Sequence, residues 1–263
     1  MKSKSLAILA IATLALMLLS ACSKKETAAN EQAAQPAAPA QTTAIDQSTV
    51  GSVSGVVKYS GTAPKPAKID MSQDPACKGT NQVETLEVNN GDLANTFVYV
   101  KSGFNGTLPA PTEAVTIDQQ GCRYHPHVLG VMVGQPVKIV NSDETTHNIH
   151  PTPKDNREWN ESQPPKAAPI EKSFTREEIM LPVKCNQHPW MKMYINVVKN
   201  PFFAVTDKDG KYEIKGLPPG TYTLGFVQEK LGEQEQQVTI GPKESKTVDV
   251  TFPAGGASKA AGE

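Results

Sequence analysis

Short runs of β-branched and aromatic residues, separated by turns, recur between residues 53 and 252. Each run is long enough for one strand and too short for a helix, so this pattern constrains the fold more than any other feature. Lys208-Asp209-Gly210 and Leu217-Pro218-Pro219-Gly220 supply glycine for positive φ and proline for a preset φ. We therefore predict an all-β chain built from β-sandwiches. The predicted strands are Val53–Tyr59, Thr96–Val100, Val115–Ile117, Val128–Val133, Val137–Val140, Tyr194–Val198, Tyr212–Ile214, Thr221–Phe226, Gln237–Ile240 and Thr247–Phe252, with one helical turn near residues 175–178.

Charge and motif content exclude several functions. The formal net charge is −1, so the chain has no basic field for phosphates and we expect no nucleic-acid partner. The sequence contains no His-Glu-x-x-His, no Gly-x-Ser-x-Gly and no Walker loop. None of the five histidines is followed by Glu three residues later, as a zinc carboxypeptidase would need. We expect a protein that is not an enzyme.

The N-terminus has the charge order of an export signal. Lys2 and Lys4 precede an apolar run, and Leu19-Ser20-Ala21-Cys22 ends it. This ending resembles the lipobox of bacterial lipoproteins, which implies that residues 1–21 are a signal peptide and that Cys22 is the lipidation site. Ser23, rather than Asp, follows the cysteine, and the resemblance then implies a lipid anchor on the periplasmic side of the outer membrane. The alternative is a soluble secreted protein.

The segments at both ends of the folded part have few large apolar side chains. Residues 22–49 consist mainly of Ala, Gln, Thr and Pro, and residues 253–263 are rich in Gly and Ala. Such segments cannot bury enough surface to offset chain entropy. We predict a disordered tether and a disordered tail around a folded part near 50–252.

Potential metal ligands are concentrated in two short segments. His147-Asn148 precedes by 38 residues the loop Cys185-Asn186-Gln187-His188-Pro189-Trp190-Met191. A thiolate, two imidazoles and a weak axial thioether form the ligand set of blue-copper electron-transfer sites. A cysteine at a strand end and a histidine three residues later can face one point, and a second strand must bring the other histidine. Core or surface roles for these residues are the alternative.

These two segments resemble the cupredoxins, and among them the amicyanin-like subgroup. The resemblance covers residues 115–198 and implies a Greek-key β-sandwich that holds one copper ion, Cu(I) or Cu(II). His147, Cys185 and His188 are then the equatorial ligands and Met191 is the axial one. Asn148 is expected to hydrogen-bond to the ligand loop near Cys185.

The resemblance leaves some positions open. Gln187 stands where the subgroup usually has proline, and Met193 lies at the longer Cys-to-Met spacing of other cupredoxins, so Met193 is an alternative axial ligand. His150 accompanies the motif without binding copper. His125 and His127 follow Cys122 and are interpreted as residues at a strand entry, with a second metal site there as the alternative.

Cys77 and Cys122 are a possible disulfide. An exported protein meets an oxidising compartment, where two further thiols on β-segments can pair. Cys77, Cys122 and Cys185 allow three pairings, and only Cys77–Cys122 remains if Cys185 is a metal thiolate. Free buried thiols are the alternative.

The chain on both sides of the cupredoxin-like segment resembles a second family. Ala204 to Ile214 and Leu217 to Tyr222 look like the carboxypeptidase regulatory-like (transthyretin-like) β-sandwich, which usually opens with a strand like Gly51–Val57. We hypothesise that the copper module, 113–198, is inserted into a regulatory-like sandwich formed by 50–112 and 199–252. The alternative is domains in series. Contact between 53–59 and 246–252 distinguishes the two.

Together these features predict a lipid-anchored envelope protein that carries single electrons through a type 1 copper site. The expected partner is a redox protein such as a cytochrome or a dehydrogenase, docking on an apolar patch at Pro189 and Trp190. The alternatives are a copper chaperone or storage protein without redox turnover, and a structural or glycan-binding β-lipoprotein.

Overall fold

The computed structural model describes residues 42–255, which form strands and turns and contain no helix. The predicted signal peptide, Cys22, most of the tether and the last residues of the tail lie outside the described residues. Within 42–255, no helix is present that is long and apolar enough to cross a membrane. In chain order the strands are β1 (Gly51–Ser60), β2 (Lys68–Ile69), β3 (Asn81–Gln82), β4 (Val88–Asn89), β5 (Asp92–Leu93), β6 (Phe97–Ser102), β7 (Val115–Gln119), β8 (Tyr124–His125), β9 (Val128–Met132), β10 (Val137–Asn141), β11 (His147–Pro151), β12 (Glu161–Gln163), β13 (Ile170–Lys172), β14 (Glu178–Lys184), β15 (Lys192–Val198), β16 (Phe203–Val205), β17 (Lys211–Leu217), β18 (Gly220–Gln228), β19 (Gly232–Ile240), β20 (Ser245–Thr247) and β21 (Val250–Pro253).

The first and last strands belong to one sandwich, here called the outer sandwich. One of its sheets has the order β17-β1-β5-β4, with β20 and β21 also paired to β1, and the other has the order β16-β6-β18-β19. β1 runs parallel to β20 at Val53↔Lys246 and to β21 at Tyr59↔Phe252. The contact that the insertion hypothesis requires is therefore present. An apolar core that includes Val57 and Phe226 fills the space between the two sheets.

The strands between β6 and β16 form a second sandwich, here called the inner sandwich. Its sheets have the orders β13-β10-β7-β8 and β12-β11-β14-β15-β9, with β7 parallel to β10 and β9 parallel to β15. Every residue of β9 is buried, because the other face of its sheet packs on the outer sandwich. There Val128 meets the aromatic side chains of Phe97 and Phe203. An all-β architecture is thus confirmed.

The helical turn expected near residues 175–178 is wrong. Residues 175–177 are irregular, and β14 begins at Glu178. The Glu178 carboxylate accepts hydrogen bonds from the backbone amides of Lys154, Asp155 and Asn156. The residue that looked like part of a helix therefore holds a neighbouring loop instead.

The end of the predicted tether lies against the outer sandwich. The Thr43 amide donates to the Thr107 carbonyl at 2.7 Å, and Ile45 packs on the apolar core of that sandwich. The folded part of the chain thus includes residues before residue 50, which were predicted to belong to the tether.

Candidate metal centre

Three of the predicted ligands come from different strand ends of one sheet in the inner sandwich. His147 opens β11, while Cys185 follows β14 and His188 lies in the short loop that leads to β15. β14 pairs with both β11 and β15, with His150 opposite Lys184. Because β14 lies between the other two strands, the register places the start of the ligand loop beside β11.

The ligand atoms of His147, Cys185 and His188 all lie within 4.8 Å of one another. The two Nδ1 atoms are 2.9 Å apart, and the Cys185 Sγ is 3.7 Å from Nδ1 of His188. Relative exposures are 0%, 3% and 3%, respectively. The structure therefore brings a thiol and two imidazoles together in a site that excludes water.

The Nε2 atom of each imidazole, on the side away from the cluster, is within hydrogen-bond distance of a carboxylate. Nε2 of His147 is 2.8 Å from Asp143 Oδ2, and Nε2 of His188 is 3.0 Å from Asp74 Oδ2. An ionised carboxylate only accepts hydrogen bonds, so both Nε2 atoms carry the proton. Both Nδ1 lone pairs then face each other and the sulfur, an arrangement that a cation stabilises.

Burial is the main cause that lowers the pKa of His147, and the neighbouring His188 lowers it further, against the effect of Asp143. A neutral imidazole is the form that binds a metal. Hydrogen bonds lower the pKa of Asp74 to about 2; their donors, in order of effect, are the Thr145 hydroxyl, the Ala76 amide and His188. The site thus combines a His147 imidazole that burial shifts toward its neutral form with an ionised Asp74 carboxylate behind His188.

The backbone amide of Asn148 donates to Cys185 Sγ at 3.3 Å. Its side-chain amide donates instead to Asn160 Oδ1 at 3.2 Å. The predicted bond to the ligand loop is therefore made by the main chain of this residue. This N–H is directed at the sulfur that would bind a metal.

Met191 and Met193 are both buried. Met191 lies in the ligand loop, where its amide donates to the His188 carbonyl and its carbonyl accepts from the Cys185 amide. Met193 lies in β15 opposite Val183 and belongs to the apolar core of the inner sandwich. Met191 as the axial ligand, with Met193 as the alternative, stays a prediction.

Cys77 and Cys122 form a disulfide with a Cα–Cα distance of 5.6 Å, and Cys185 is a free, buried cysteine. This pairing removes Cys122 from the second metal site considered above. His127 is buried and engages Glu229 at 2.6 Å through Nε2, while His125 is exposed.

His150 lies outside the cluster. Its Nδ1 is 2.9 Å from Asn186 Oδ1 and its Nε2 is 2.7 Å from Glu158 Oε1. Both ring nitrogens thus have partners, and the side chain flanks the ligand loop without joining the ligands.

Pro189 is exposed and Trp190 is half-buried at the expected docking patch. The Trp190 indole N–H donates to the Cys122 carbonyl, and its ring lies 5.1 Å from that of His188. Pro189 and Trp190 also line a cavity of about 150 Å³ together with Glu84, Arg123 and Glu229. Charged side chains therefore border this patch.

Asp74 and Asp143 are the site residues that sequence reasoning missed. Asp143 lies four residues before His147, so its proximity was visible in the sequence. Asp74 lies 114 residues before His188, and its only sequence signal is its position three residues before Cys77.

The fold and the site define an all-β chain of two sandwiches with a buried Cys-His-His cluster in the inner one. The family model of the carboxypeptidase regulatory-like domain matches residues 194–253, which confirms the second resemblance. No curated protein matches the chain.

Similar solved structures include a Cu-containing nitrite reductase (NirK) from Thermus scotoductus SA-01, 23% identical over 39% of this chain, with a TM-score of 0.31. This chain covers only 25% of that enzyme chain. A purple cupredoxin from Nitrosopumilus maritimus is 22% identical, covering 32% of this chain and 98% of its own, with a TM-score of 0.28. An oxidized amicyanin variant is 20% identical over 38% of this chain and 97% of its own, with a TM-score of 0.29.

Proposed function

We propose that the inner sandwich binds one copper ion through His147, Cys185 and His188, with Met191 as axial ligand, and carries single electrons. The observation that supports this most is the convergence of two Nδ1 atoms, 2.9 Å apart, and one sulfur in a buried cluster. A soft thiolate with two imidazoles selects copper or zinc over hard cations, and the trigonal set with a thioether favours copper. Copper bound there supplies one-electron chemistry through Cu(II) and Cu(I).

The protein frame suits this role because the ligand side chains are fixed before any metal binds. Asp143 and Asp74 hold the two rings, and the Asn148 amide holds the sulfur. A site that is held in this way changes shape little between oxidation states, which favours rapid electron exchange.

Stoichiometric Cu(II) added to the purified full chain tests the proposal by visible absorption and EPR. We expect an intense thiolate-to-copper band that Cys185→Ala and His147→Ala abolish. His150→Ala is the matched control, because His150 lies on the same strand but outside the cluster, and it should keep the band. A colourless, weakly bound ion, or loss of binding only in the His150 variant, contradicts the assignment.

Electron exchange is tested separately from binding. Reversible reduction and fast exchange with a cytochrome support a carrier. Preferential transfer of Cu(I) to an apo-protein supports the chaperone alternative and contradicts the carrier.

We further propose that the chain is anchored in the cell envelope through lipid on Cys22, on the strength of the Leu19-to-Cys22 motif alone. Incorporation of labelled fatty acid into the wild type and its loss in Cys22→Ser test this. Equal labelling of both contradicts it.

A further inference from the structure

The outer edge of His188 is covered by a segment that belongs neither to the ligand loop nor to its sheet. Residues 70–77 are part of the connection between two short strands, β2 and β3, and a disulfide joins Cys77 to Cys122 on the inner sandwich. One ligand atom each of Asp74, Cys77 and His188 lies within 4.8 Å of the others. The outer edge of the His188 imidazole is therefore buried under this segment.

Asp74 is fixed in place by three hydrogen bonds. Its Oδ2 accepts from the Thr145 hydroxyl at 2.7 Å and from His188 Nε2 at 3.0 Å. Its Oδ1 accepts from the Ala76 amide at 2.8 Å. The carboxylate is thus oriented by its own segment and by the inner sandwich before it meets the ring.

We propose that Asp74 is a positioning residue that holds His188 with the proton on Nε2, so that Nδ1 faces the metal, and that its charge favours Cu(II) over Cu(I). The charge argument rests on the proposed function, whereas the orientation of the ring does not. A carboxylate that accepts from the outer nitrogen of a ligand imidazole fixes the tautomer and makes the ligand more basic. A more basic ligand and a nearby negative charge both favour the ion of higher charge.

The same segment contains a matched control residue. Asp70 accepts from the Ser72 amide at 2.9 Å in the way that Asp74 accepts from Ala76, and the described contacts of Asp70 do not include His188. Asp70→Asn therefore removes the same charge from the same segment without touching the ring.

The first experiment uses the metal-free full chain. Nitrogen-15 NMR of the His188 ring should show a single Nε2–H tautomer with a slowly exchanging proton in the wild type and in Asp70→Asn. Asp74→Ala should give mixed tautomers and fast exchange, and Thr145→Val, which frees one side of the carboxylate, should shift the spectrum in the same direction. A wild-type spectrum with mixed tautomers, or an Asp74→Ala spectrum identical to the control, overturns the proposal.

The second experiment measures Cu(II) and Cu(I) affinities and the reduction potential of Asp74→Asn. Loss of such a partner typically costs about 10- to 100-fold in metal affinity, and we expect the larger loss for Cu(II). A tenfold change in the ratio of the two affinities raises a one-electron potential by about 59 mV. Unchanged affinities and potential relative to Asp70→Asn overturn the charge argument. If the wild type binds no copper, the proposed function fails while the NMR experiment still decides the role of Asp74.

Discussion

Removal of the Cys77–Cys122 disulfide should lower the free energy of unfolding by about 4 kcal/mol. The bond closes a loop with a sequence separation of 45. For a loop of that length the chain-entropy relation gives a loss of roughly 13 cal/mol/K in the unfolded chain, or about 4 kcal/mol at ordinary temperature. Alanine at both positions is preferable to serine, because a buried hydroxyl without a partner adds its own cost.

The assay is urea unfolding of the metal-free full chain. The double alanine variant should show a lower midpoint, and hydrogen exchange should accelerate in residues 70–77, which the bond holds against the inner sandwich. Cys185→Ala is the control, since it removes a buried sulfur without removing a link. A free energy of unfolding within about 1 kcal/mol of the wild type would refute the reasoning and show that other contacts hold the segment.

The two candidate axial ligands should behave differently when changed to leucine. Met191→Leu should alter the visible and EPR spectra of the copper-loaded chain, whereas Met193→Leu should leave them unchanged and cost less than about 1.5 kcal/mol of stability, as a volume-conserving core change; the reverse result assigns Met193. A pH dependence is expected at His127: burial opposes its charged form, but the hydrogen bond and charge of Glu229, with the charge of Glu84, outweigh burial and raise its pKa. The stabilisation of the fold by the charged His127 is therefore complete below the ordinary histidine pKa and is lost as the pH rises through the raised pKa. The thermal unfolding midpoint of Glu229→Gln should therefore differ most from that of the wild type near pH 6 and least at alkaline pH. A difference that grows with pH contradicts this sign.

The strands that were predicted from sequence are those with a simple alternating or continuous apolar pattern. Val128–Val133 and Thr221–Phe226 lie within a residue or two of β9 and β18. β14 was missed because Pro182 interrupts its pattern and because its register with β15 shifts around Met180, which has a positive φ. One predicted run, Thr247–Phe252, is two strands, β20 and β21, because the chain breaks its pairing with β1 between them.

The ligand cluster was predictable because its residues lie in two short segments whose spacing reflects one loop and one neighbouring strand. The carboxylate on His188 was not, because Asp74 reaches the ring through tertiary structure alone. Nothing near residue 74 resembles a metal motif, and its segment is held by the disulfide of Cys77, whose partner Cys122 lies 45 residues further along the chain. Local sequence patterns thus predict the ligand residues. The side chains that hydrogen-bond to those ligands come from any part of the chain that the fold brings near, and local patterns do not predict them.

The two ends of the chain segment that forms the inner sandwich lie close together in one sheet of the outer sandwich. β6 ends at Ser102 and β16 begins at Phe203, and these strands are antiparallel neighbours with Phe203 opposite Tyr99. The chain therefore leaves the outer sandwich and returns to it at adjacent positions in one sheet, and the cost of closing a longer loop grows only slowly with its length. Gly130 lies at this junction, where an added Cβ would come within 2.7 Å of the Phe97 and Phe203 rings. The inner sandwich therefore packs directly against the outer one at this position, with no room for a side chain between them. This packing connects the sheet that carries the ligand cluster to the outer sandwich.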